Sequence, residues 1–323
     1  MLLSYDAPET VKTLLASLGR CEDVKFSPSA RRLAIAAFEQ GKIAVLDIAV
    51  AGAAGEPKQI GLTDGFALAS PHLRYPHGVD FLDEETIVVA NRGGDACVFK
   101  LPRANGGREC EATPLALIGA AEFLSTPGSV TAIRQSPVRG EILICNNFVH
   151  TVTRHAYDLS RGCTIGGSRV LLRKWLAVPD GIAVSENRKW IAVSNHDSGH
   201  VFLYENTPAL NENSDPDGIL RCIAYPHGVR FVADDRFIFA ADAGAPYVNV
   251  YAGDAANWRG VRNPVLTFRV LDQDLFLRGR VNPMEGGPKG IDLAGEVMAV
   301  ASELRELAFF DAVPVLQSAA ARE

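Results

Sequence analysis

The sequence predicts an all-β fold: a six-bladed β-propeller with four antiparallel strands per blade, in one domain over residues 1–323. Three observations predict it. One pattern recurs six times, each copy is a set of strand-length segments cut by Gly, Asp, Asn and Pro turns, and no long helical periodicity interrupts the series. A repeat near fifty residues that holds four strands is the signature of a propeller blade.

Composition is compatible with such a core. Hydrophobic residues make up 47% of the chain and charged residues 22%, which excludes wholesale disorder. The formal net charge is −6 and no basic run stands out, so no nucleic-acid partner is expected. The first twenty residues carry Asp6, Pro8 and Glu9 where a secretory signal would be apolar, and no apolar run approaches bilayer length. No membrane partner is expected either. Cys21, Cys97, Cys110, Cys145, Cys163 and Cys222 lie far apart with no CxxC pair, which reads as six reduced thiols in a cytoplasmic protein, each a small buried hydrophobe.

The blades follow in order. Their first strands are carried by CEDVKF, PHGVDF, PGSVTA, PDGIAV, PHGVRF and PKGIDL, with apolar anchors Val24, Val79, Val130, Ile182, Val229 and Ile291. Second and third strands follow within each copy, as in IVVAN and then ACVFKL for blade two. Between copies PKQIGLTD, ATPLALIG, SRVLLRKWL, GILRCIAY and PVLTFRVL supply fourth strands. The sixth copy lacks one, because VPVLQSAAARE is a poor strand. Residues 11–18, VKTLLASL, are therefore expected to close the ring as the outer strand of the last blade, since an open ring would leave unpaired edges.

That geometry gathers distant residues. First strands line the central channel, so the residue ahead of each anchor frame, Glu22, His77, Gly128, Asp180, His227 and Lys289, faces one hub. Blades two and five oppose each other, as do one and four. His77 thus faces His227, and Glu22 faces Asp180. Two imidazoles and two carboxylates around one point suit a divalent cation, with His77 as a fourth ligand or a base. A purely structural Pro-x-Gly turn would tolerate small or apolar residues at x, whereas here x is mostly ionisable. The second strands end on the same face and offer substrate contacts at Asn91, Asn146, Asn195, His196, Asp242 and Glu303. Asn147, Asp197, Glu39 and Arg305 lie beside them. Lys289 and Arg92 are candidate catalytic cations that fix a carboxylate or an oxyanion.

These segments resemble the SMP-30/gluconolactonase and paraoxonase group of six-bladed propeller hydrolases, and more loosely the NHL-repeat lyases. CEDVKF looks like the first-blade segment whose Glu, here Glu22, binds the central metal of that group. PHGVDF followed by IVVAN looks like the segment carrying an active-site His, here His77, and PDGIAVSENRKWIAVSNHDSGHVFLYE like the blade that supplies a metal-binding Asn or Asp, here Asp180. The resemblance implies lactone or ester hydrolysis of a small polar substrate at a divalent metal, with lyase or isomerase chemistry at the same site as the alternative. The chain departs from that pattern at Gly128, His227 and Lys289, and has Arg92 where paraoxonases carry a second His. Imidazole ligands favour Zn²⁺ or another transition metal over Ca²⁺.

Other motifs carry less. Within Asn211–Gly218, Asn213, Asp215, Asp217 and Gly218 begin like a calcium loop, but the twelfth position from Asn213 is Ala224 where a Glu is needed. Ser194–His200 places Ser, His and Asp side by side, which is not triad geometry. His150, His155 and His200 fall near third strands, away from the hub, and His72 lies ahead of the His77 strand. No P-loop, G-x-G-x-x-G, G-x-S-x-G or H-E-x-x-H occurs. A non-catalytic propeller that binds a peptide or protein through Phe38 or Phe148 is the rival of the enzyme.

Overall fold

A computed structural model describes all residues except 54, 55, 57, 104, 105, 255 and 323. Six antiparallel sheets radiate from an axis. Their innermost strands are Cys21–Phe26, Pro76–Phe81, Pro127–Arg134, Pro179–Val184, Pro226–Val232 and Pro288–Ala294, so each anchor frame begins a blade as expected. Among the described residues six apolar clusters form, each drawing on two neighbouring blades. Blades one and two, for example, pack Ile43, Val45 and Phe66 against Val79, Phe81 and Val89. Burying apolar area seam by seam gives every blade two partners, and closure leaves none half-covered.

The ring closes with a different segment from the one expected. Residues 11–18 are not a strand: Glu9–Ala16 is a helix, α1. Val11, Leu14, Leu15 and Leu18 recur at helical spacing and are all buried, in one cluster with Leu46, Leu62 and Ala67 of blade one. The outer strand of blade six is instead Leu2–Leu3, which pairs antiparallel with Phe310 and Phe309, and Met1 O accepts from Asp311 N at 2.9 Å. A short N-terminal strand therefore latches the last blade, and α1 covers the first. Two blades also exceed four antiparallel strands. Tyr5–Asp6 and Glu109–Glu111 add parallel pairings to the fourth strand of blade one, and Gly260–Arg262 does so in blade four. The C-terminal VPVLQSAA forms a helix, Val313–Ala320. No helix among the described residues is long and apolar enough to cross a membrane.

One irregularity positions the hub. In all six blades the pairing between first and second strands slips by one residue just after the opening position, as between Pro127↔Asn146 and Val130↔Ile144. Such a bulge bends the strand and re-aims the extra side chain. The residue so re-aimed is the x of each frame. The glycine that follows x has a steric reason: a Cβ on Gly78 would stand 2.6 Å from Ser129 Cα in the next inner strand.

Candidate functional site

The slip brings four of the six x residues together in two layers of contact. His227 Nε2 lies 3.4 Å from Glu22 Oε2 and 3.1 Å from Asp180 Oδ2, while His77 Nε2 lies 3.6 Å from Glu22 Oε2 and 3.7 Å from Asp180 Oδ1. The His77 and His227 rings stack at 5.4 Å. All four residues are buried. Gly128 adds no chemistry, because a Cβ there would collide with the Asn147 carboxamide. Asn147 fills that sector and donates to Asp180 Oδ1 at 2.7 Å.

Lys289, the sixth x residue, sits behind Glu22. Its fully buried ammonium contacts Glu285, Glu22 and Glu303 at 2.8, 3.0 and 3.0 Å, so its three N–H groups are spent on three carboxylates. The same network takes in Arg20, which pairs with Glu22 and lies 3.4 Å from Glu303. Lys289 and Glu303 are thus placed to hold Glu22 and not to meet a substrate. Arg92 is on the open side: it donates to Asp180 Oδ1 at 3.2 Å and stacks over Phe148 at 5.6 Å.

The second-strand residues separate into two sets. Asn91, Asn146, Asn195 and Asp242 point away from the hub, and their polar atoms fasten the loops that precede the inner strands. Asn91 Oδ1 accepts from Arg74 N, Asn146 Oδ1 from Ser125 N, Asn195 Oδ1 from Ala177 N, and Asp242 from Ala224 N and Tyr225 N. The expected substrate contact does not match these bonds. The next residue along is the one that faces the hub, because side chains alternate along a strand. That rule delivers Phe38, Arg92, Asn147, His196 and Glu303 in five blades and Ala243, with no polar group, in blade five. His196 Nε2 stands 3.4 Å from Asp180 Oδ2, and the ring lies 4.1 Å from that of Tyr225.

A cavity of about 370 Å³ opens above this cluster. Phe38, Phe148, Val178 and Tyr225 form its apolar wall, and Arg20, Arg92, His77, His196, Asn282 and Glu285 its polar one. Asn282 and Glu285 come from residues 280–287, which follow the helix Gln273–Gly279 between blades five and six. Trp258, in the same long connection, is instead fully buried in the seam of blades four and five. Arg20, Tyr225 and Glu285 belong to the site without having been expected there, and Asn147 takes the place expected of its neighbour Asn146. His150 and His155 lie elsewhere: His150 Nδ1 accepts from Val178 N, and both nitrogens of His155 bond hydroxyls.

The charges are unequal in their settings. Burial disfavours ionised Glu22, but Lys289, His77, His227 and Arg20 outweigh it and hold the carboxyl well below its ordinary range. Burial likewise opposes Asp180, and the three imidazoles win. His77 is pushed well below the usual imidazole value by burial and then by Arg92. For His227 burial acts downward, yet Asp180 and Glu22 raise the net value. The opposed pair is therefore one neutral imidazole and one that favours the proton.

The two carboxylates are only half used. Glu22 Oε1 and Asp180 Oδ1 have their donors, but Glu22 Oε2 and Asp180 Oδ2 are buried without a hydrogen-bond partner, as are His77 Nδ1 and His196 Nε2. Two sets of ligand atoms, Glu22–His77–His227 and Asp180–His196–His227, each fall within 4.8 Å of one another. A tetrahedral ion with bonds of 2.0–2.1 Å would separate its ligands by roughly 3.3 Å. The N···O separations of 3.1–3.7 Å match that edge.

The chain shares its fold with solved propellers. A protein from Bacteroides uniformis named provisionally as a 6-phosphogluconolactonase aligns over 93% of this chain and 79% of its own, at 12% identity and a TM-score of 0.56. Its counterpart of the same provisional name from Bacteroides fragilis aligns over 90% and 79%, at 13% and 0.53. A protein of unknown function from Desulfotomaculum acetoxidans aligns over 90% and 82%, at 13% and 0.57. These likenesses establish the propeller architecture. No protein-family model and no curated protein sequence matches the chain.

Proposed function

We propose that the protein is a metal-dependent hydrolase that opens a lactone or ester of a small polar substrate in the hub cavity. The observation that carries this reading is the convergence of two buried carboxylate oxygens, Glu22 Oε2 and Asp180 Oδ2, on imidazole nitrogens, with no well-aligned hydrogen bond made at either oxygen. A buried carboxylate oxygen without a partner is costly, and a bound cation removes that cost. The residues that would hold it come from Glu22, His77, Asp180, His196 and His227. An imidazole-rich set selects zinc or another transition metal over calcium.

When bound, such an ion supplies Lewis acidity toward a carbonyl oxygen and acidifies water. The chain's own residues supply the rest. His77, neutral and lining the cavity, accepts a proton at a ring nitrogen and returns it to the leaving oxygen. Arg92, which lines the cavity, presents a positive charge to a developing oxyanion. Lys289 and Arg20 hold Glu22, and Asn147 holds Asp180, so neither carboxylate must reorganise. Phe38, Phe148, Val178 and Tyr225 limit water. The provisional lactonase name of two structural neighbours accords with this reading. Six unpaired cysteines suit a reducing compartment, and we place the enzyme in the cytoplasm.

The test is a panel of lactones and esters assayed before and after chelation. Hydrolysis that disappears with the metal, returns with added zinc, and falls about 100- to 10,000-fold in kcat for His77→Gln supports the reading. A metal-replete protein inert toward the whole panel contradicts it and favours the lyase alternative.

A further inference from the structure

Resting on that reading, we infer that the cation is held by Asp180, His196 and His227, with His77 outside the coordination sphere. Both candidate triads share His227, so the choice lies between Glu22 with His77 and Asp180 with His196. The distances favour the latter: both imidazoles approach the same oxygen, Asp180 Oδ2, at 3.1 and 3.4 Å, against 3.4 and 3.6 Å at Glu22 Oε2.

The charge balance favours it as well. Glu22 already receives two cations on its other oxygen, the fully buried Lys289 and the partly exposed Arg20. Asp180 receives one neutral carboxamide and one partly exposed guanidinium. More negative charge is therefore left at Asp180 to attract an ion. Its orientation is fixed, since Asn147 occupies the sector that glycine leaves empty at position 128 and bonds Oδ1, turning Oδ2 toward the imidazoles. His196 is held by the Tyr225 ring at 4.1 Å, and its Nε2 is buried without a hydrogen-bond partner. These are the outer contacts that orient metal ligands. His77 has no comparable support, for its Nδ1 is buried with no acceptor and its aromatic neighbour Phe38 lies 6.0 Å away, edge-on.

Calorimetric titration of zinc chloride into the full, metal-stripped chain tests this. Wild type should bind one zinc. His196→Gln should weaken binding roughly 100-fold or more, because even an outer contact is worth roughly 10- to 100-fold. His77→Gln should bind as wild type does. Should His196→Gln fail to fold, Tyr225→Ala and Phe38→Ala give the same contrast one contact further out, with weaker zinc binding for Tyr225→Ala alone. Loss of zinc in His77→Gln with retention in His196→Gln overturns the assignment, and so does loss in both, while the hydrolase reading stands. Wild type that takes no zinc overturns the reading and the assignment together.

Discussion

The six inner strands carry two polar layers three residues apart, and the layers are built to different ends. In the upper layer stand Glu22, His77, Asp180 and His227. In the lower one stand Lys25, Asp80, Thr131, Arg230 and Asp292, with Asp23 beside them. Every carboxylate oxygen below has a partner. Asp292 takes Arg230 Nε at 2.9 Å and Phe26 N at 2.8 Å, Asp80 takes Phe81 N and Ala132 N, and Asp23 takes Val24 N and Val79 N. Four of these bonds join one blade to the next: Asp23 to Val79, Asp80 to Ala132, Asp292 to Phe26 and Arg230 to Asp292. The upper layer is as deeply buried but leaves three polar atoms without a hydrogen bond, on Glu22, His77 and Asp180, and two more on Asn147 and His196, which pack against it. Equal burial with unequal satisfaction marks the lower layer as the fastening of the ring and the upper one as a receptor for something else.

Substitutions should break this contrast in order of size. Asp292→Ala leaves the buried Arg230 guanidinium without its nearest carboxylate and Phe26 N without an acceptor. It should cost about 3–5 kcal/mol in a denaturant titration. A buried imidazole outside both layers comes next. His155 is pushed down to about 4 by burial, from an ordinary 6.5. Its folded-state value is depressed, so its contribution is complete above pH 6.5 and is lost as pH falls toward 4. That is about 3 kcal/mol at most. Unfolding of His155→Gln followed from pH 7 to 4 should show an acid limb shallower by about that amount.

Smaller effects on stability sharpen the contrast, because they separate folding from binding. Gly128→Ala drives its Cβ into Asn147, which should cost about 1–3 kcal/mol and weaken zinc binding roughly 10- to 100-fold by releasing Asp180. Asp180→Asn keeps its bonds to Asn147 and loses only its attraction for the imidazoles and Arg92, so it should cost metal-free stability less than Asp292→Ala does, about 1–3 kcal/mol, yet it should abolish zinc binding in the same titration. A large loss of stability in Asp180→Asn would erase the distinction between the layers.

Much of this was legible in the sequence, and the reasons for the gaps are physical. The repeated frame around Val79, Ile182 and Val229 announces the inner strands, because a strand buried on both sides must be β-branched and apolar. The ionisable x residues announce the hub. The latch was misread because VKTLLASL satisfies strand propensity while its Val11, Leu14, Leu15 and Leu18 spacing is helical. At the second strands the period of two decided the outcome: Asn91, Asn146 and Asn195 take the loop-fastening position, and the hub falls to Arg92, Asn147 and His196 one residue later. The lower layer was visible in hindsight as the Lys, Asp and Arg three places beyond x, but only the bulge puts x and x+3 on one side. Arg20 and Glu285 had no repeat-level signal, since each enters from a loop particular to its blade.

The central claim is that the upper layer is completed by one divalent cation. Thermal unfolding of metal-stripped protein with and without zinc, at a zinc concentration near 100 times the dissociation constant, tests it directly. The account predicts one zinc per chain and about 2.7 kcal/mol of added stability, absent in Asp180→Asn. An unchanged unfolding curve, with no zinc retained after gel filtration, would contradict it.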